Sequence, residues 1–101
     1  MMPFRNRRLV TVASNTWVVI EYVPEKNKEG VWVWKRDAEV AGLPRMSRGV
    51  AKAFGKATGT LFNGIHNVPL SEVEIKVLSA LVPAEVDFRP NEMVPEDYYA
   101  G

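Results

Sequence analysis

Short β-prone apolar runs separated by polar turns fill the first third of the chain, and helical spacing takes over after Ser47. Leu9-Val10-Thr11-Val12-Ala13 reads as a first strand, and Ser14-Asn15 carries a turn signal. Thr16 to Val23 is a β-prone run rich in branched and aromatic residues. Pro24 is expected to end it, because proline cannot donate to a ladder. The polar stretch Glu25 to Gly30 closes in a glycine suited to positive φ, and Val31 to Lys35 returns as a third strand.

The three tryptophans, Trp17, Trp32 and Trp34, all fall on this meander. With Pro24 facing Val31, Val23 pairs with Trp32 and Glu21 with Trp34. Trp17, Val19, Val23, Trp32 and Trp34 then share one face, and Val18, Ile20 and Tyr22 form the other. A one-residue slip moves Trp32 and Trp34 to the Val18/Ile20 face. In the first register both faces are apolar, so one could dock a partner. Trp34→Ala would then remove partner capture without unfolding the domain. A tryptophan hairpin packed under helices as core has the same pattern.

Beyond a connection over 36–46, Ser47 is a good N-cap for a helix from Arg48 to about Thr58, with Gly59 as its stop. Val50, Ala53, Phe54 and Ala57 form its apolar stripe, and Gly55 weakens it. Residues 60–67 suggest a short hairpin around Asn63-Gly64, or a helix end closed by Gly64. Ser71 and Glu74 fit a capping box, with Leu70 and Ile75 as a hydrophobic staple. These favour a helix to about Leu81, although Val73, Ile75 and Val77 also alternate as in a strand. Residues 84–88 alternate as a short strand. The predicted organisation is a basic arm (1–8), a single α+β domain (9–89) and an extended acidic tail (90–101). The domain would hold a small antiparallel sheet of SH3-like or partial-barrel character, one or two short helices and the C-terminal strand.

Composition narrows the function classes. With 101 residues and no cysteine, disulfides and thiolate metal sites are excluded, and the cytosol is favoured. No apolar run reaches membrane-spanning length, so no membrane partner is expected. The net charge of +1 hides an asymmetry. Residues 1–56 hold 11 Lys/Arg against 5 Asp/Glu, whereas residues 57–101 hold 2 against 7. Such a split predicts either that the halves face each other or that a basic surface faces an anionic partner.

Arg48, Lys52 and Lys56 recur every four residues on one helix face, with Arg45 upstream and no acid between Glu39 and Glu72. Clustered cations suit phosphate, and Arg5, Arg7 and Arg8 would form a minor arm. An ordinary solvated helix face carries the same residues. Gly49 to Ala57 resembles a phosphate loop only superficially. Five residues separate its glycines where four are needed, and Ala57 stands where a metal-binding hydroxyl belongs. Glu92, Glu96, Asp97, Tyr98 and Tyr99 could dock as a short linear element, or fold back on the basic stripe. His66 is the only histidine and has no nucleophile beside it, so no catalysis, metal or cofactor is expected.

No family resemblance is specific enough to name. The leading expectation is a small non-enzymatic protein–protein interaction module binding another protein or copies of itself. It would use Trp17, Trp32, Trp34, Val19 and Val23 as an assembly component, adaptor or inhibitor. Its size and lack of cysteine also suit a phage accessory or virion protein. The alternative is a nucleic-acid binder using Arg45, Arg48, Lys52 and Lys56.

Overall fold

The computed structural model describes residues 4–81, so the expected strand at 84–88 and the acidic tail lie outside the described residues. Three strands form the meander: β1 (Asn6–Ala13), β2 (Thr16–Lys26) and β3 (Trp32–Glu39). Helix α1 (Arg48–Thr58), the two-residue strand β4 (Leu61–Phe62) and helix α2 (Glu72–Leu81) follow. The sheet order is β3-β2-β1-β4, with β4 parallel to β1. The fold is therefore α+β with a four-strand mixed sheet, not the purely antiparallel one expected. This order does not confirm SH3-like character.

The sequence register fails at the second hairpin. β2 continues through Pro24 to Lys26, and Val23 pairs with Lys35, three residues from its expected partner Trp32. Proline is tolerated there because β1 begins opposite Tyr22, which leaves β2 paired on one side only beyond that point. Asn27 builds the loop: its side-chain oxygen accepts from the Glu29 and Val31 amides, and Gly30 takes φ 79°. An odd displacement turns the side chains of Trp32 to Arg36 over, as far as the bulge between Glu21 and Tyr22. Trp32 and Trp34 consequently join Val18, Ile20 and Tyr22, and part from Trp17. The expected register would have set Trp34 against Glu21, whose carboxylate is instead held by Arg5 and Arg7.

Each sheet face is covered by its own helix. On one, Leu9, Val19, Met46 and Ala51 form a core flanked by Trp17, Val40, Leu43, Phe54 and Phe62. On the other, Val18, Ile20, Tyr22 and Trp34 pack with Ile65, Leu70 and Leu78. The helix ends follow local chemistry. Ser47 Oγ accepts from the Val50 amide, and Gly59 closes α1 at φ 73°. The Ser71–Glu74 capping box forms in both directions, at 2.8 and 3.1 Å, which settles α2 as a helix.

The inward face of α1 differs from the expected stripe. Ala51, Gly55 and part of Phe54 face the sheet, whereas Val50, Ala53 and Ala57 are exposed. Gly55 is what allows the close approach. A Cβ there would lie 2.8 Å from the Thr60 carbonyl oxygen and 3.0 Å from Leu9 Cδ1. No hairpin forms at Asn63-Gly64. Phe62 leads instead into a strap that crosses the α2 face. Gly64 there meets the Tyr22 hydroxyl, 2.7 Å from where a Cβ would sit. The strap then seals the outer edge of β3. The Trp34 amide donates to Val68, Asn67 and Leu70 amides donate to Trp34 and Trp32, and the Arg36 amide donates to His66 Nδ1. An edge closed in this way cannot template another strand.

Candidate nucleic-acid interface

The tip of the first hairpin and the start of α1 are tied together. The Trp17 amide donates to the Met46 carbonyl at 2.7 Å, and the Met46 amide donates back at 2.9 Å. Asn15, in the left-handed region at the turn, accepts from the Arg48 amide at 2.9 Å. These bonds set the Trp17 backbone beside the first turn of α1. From the opposite side, the parallel pairing of Leu9 with Phe62 carries a second ring in. Trp17 and Phe62 meet edge to face, with centroids 5.3 Å apart and planes at 80°.

Trp17, Phe62, Arg48, Lys52 and Asn63 together line an open groove of about 290 Å³. The Asn63 amide is bound to the Leu9 carbonyl, and its φ of 78° turns the chain away from the sheet there. Lys56 lies one turn beyond Lys52 on the same helix face and is exposed. None of Arg48, Lys52 and Lys56 is ion-paired with an acid among the described residues. Helix α1 itself contains no acid.

Other expected site residues are placed elsewhere. Arg45 turns towards Glu39, 3.5 Å away. Arg7 and Arg8 belong to β1, which starts at Asn6 and so takes in part of the expected arm. Arg5 and Arg7 are engaged with Glu21, and Arg5 also with Asp37. They border a second groove of about 710 Å³ with Val40, Leu43, Phe54 and Thr58. Its two arginines are already matched by two carboxylates, so it offers an anion little net attraction. Of the five expected partner-binding residues, Trp34 is buried and Trp32 half-buried on the α2 face, whereas Val19 is buried on the α1 face. Trp17 and Val23 are half-buried on the α1 face, so the five do not form one patch.

Phe62 and Asn63 were missed as site residues by sequence reasoning, which read 60–67 as a short hairpin or a helix end. A two-residue parallel strand leaves no periodicity to detect. His66 serves the β3 edge, and no group of three or more His, Asp or Glu side chains converges among the described residues. No described helix is long and apolar enough to cross a membrane. Compared with known protein families, characterised proteins and solved structures, the chain matches none.

Proposed function

We propose that this protein is a non-catalytic nucleic-acid binder that uses the groove between α1 and the β1–β2 hairpin. The observation that carries this reading is the convergence of Trp17 and Phe62 with Arg48 and Lys52 around one opening. Rings supply a stacking surface for a base, and cations supply the phosphate contacts. Two further facts support it. Residues 4–81 hold 12 Lys/Arg against 7 Asp/Glu, a surplus of +5. Like charges four apart on a helix also destabilise it by about 0.2–0.5 kcal/mol per pair, so helix stability does not favour the Arg48, Lys52, Lys56 arrangement.

Trp17 reports on binding directly. Adding a mixed-sequence oligonucleotide at low salt is expected to quench part of the tryptophan emission, and the quench should vanish in Trp17→Phe. Quenching that survives in Trp17→Phe would place the ligand near Trp32 instead and overturn the proposed site.

A second reading, the protein–protein module, is favoured by one observation on α2. Val73, Val77 and Leu81 stand four residues apart and are 70%, 43% and 45% exposed. A stripe of this kind suits a helix partner, either another protein or a second copy. If it self-associates, sedimentation should show mass rising with concentration, and Val77→Glu should hold the chain monomeric. A concentration-independent monomer would leave only a foreign partner for this stripe.

A further inference from the structure

Resting on the nucleic-acid reading, we propose that the α1 ridge takes a single strand about three nucleotides long, with the base at the Arg48 end turned onto the rings. The spacing of the cations sets the length, and the rings set the strandedness. Arg48, Lys52 and Lys56 follow one another at four-residue intervals, which is about 6 Å per step along the helix axis. Successive phosphates of one strand stand farther apart through space than their ~3.4 Å axial rise, because they also wind about that axis, so a cation step of about 6 Å suits neighbouring phosphates in turn. A single strand can turn a base out of its stack and expose its face. The Trp17 and Phe62 rings, beside Arg48 and Lys52, then receive a freed base at the Arg48 end of the ridge. A duplex keeps its bases stacked and paired, with no face to offer the rings. Lys56 lines no part of the ring groove, so its contact falls on a phosphate further along the strand.

The experiment compares thymidine oligonucleotides of about one to nine nucleotides, the longest also annealed to its complement, by fluorescence anisotropy and tryptophan quenching. Affinity should climb up to about three nucleotides and gain little per residue afterwards, with the duplex bound at least about tenfold more weakly. Arg48→Ala should weaken every probe, whereas Lys56→Ala should weaken the longer ones and leave the mononucleotide unchanged. Trp17→Ala should lose about 5- to 100-fold on the single strand and nothing on the duplex. Should Trp17→Ala fail to fold, the Lys56→Ala length dependence alone decides. Equal binding of duplex and single strand, dependent on the same cations, would overturn the single-strand inference and leave the nucleic-acid reading standing. No binding of either at low salt, or equal binding of polyglutamate, would overturn both.

Discussion

Trp34→Ala is expected to unfold this domain or come close to it. Trp34 is only 3% exposed and packs with Val18, Ile20, Tyr22, Leu70 and Leu78. Phe4 also stacks on it at 5.3 Å between centroids. Removing a buried tryptophan costs about 3–5 kcal/mol, through lost transfer energy and the cavity left behind. A domain of this size holds about 5–15 kcal/mol in all. The melting temperature should therefore fall by about 15–30 °C, measured by circular dichroism. The backbone around Trp34 would be disturbed too, because its amide and carbonyl anchor the strap at Val68 and Asn67. Trp34→Phe, which keeps a ring against Phe4, should lose far less. A Trp34→Ala protein melting within a few degrees of the parent would show that this ring is not part of the core. That outcome is the one predicted by the register that puts all three tryptophans on one face.

The contrast shows which parts of the fold are legible in the sequence. Helix ends are set by contacts spanning three or four residues. Ser47, Gly59 and the Ser71–Glu74 box could accordingly be read directly, and α1 starts and stops where they predict. Hairpin register is set by a competition. The loop from Asn27 to Val31 closes through the Asn27 side chain, and burial of Trp32 and Trp34 with Tyr22 outweighs the preference for ending a strand at proline. Neither contribution is visible in alternation alone, because both registers satisfy it. The inner face of α1 was hidden for a related reason. Ala51 and Gly55 contribute little to an apolar pattern, yet small side chains are what bring the helix axis close to Leu9 and Thr60.

The candidate site divides in the same way. Its cations follow from helix periodicity, so Arg48, Lys52 and Lys56 were apparent as a ridge. Its rings come from separate parts of the chain. Trp17 arrives through the Met46 bridge, and Phe62 through parallel pairing with β1. The sequence treats the tryptophans as one group and the cations as another. Folding divides the tryptophans between two faces and unites one of them with two of the cations.

Reversing the charge of that ridge should separate binding from stability. In the triple variant Arg48→Glu, Lys52→Glu and Lys56→Glu, three phosphate contacts become three repulsions. For the parent, three contacts to a single strand give a salt slope near −2, or about 20-fold weaker binding between roughly 50 and 200 mM salt. The variant should bind at least about 100-fold more weakly at low salt, if each lost contact is worth roughly one kcal/mol or more. Its residual binding should no longer fall as salt rises. Folding should be nearly unaffected, because all three side chains are exposed and unpaired with any described acid. Glutamate at position 48 favours the positive end of the helix dipole, and glutamate at position 56 opposes the negative end, each by about 0.3–1 kcal/mol. These terms offset each other, and the like-charge spacing along the helix is the same before and after. Unchanged melting with binding abolished would assign the ridge to a ligand. Unchanged melting with binding and salt slope intact would show that the phosphate contacts lie elsewhere.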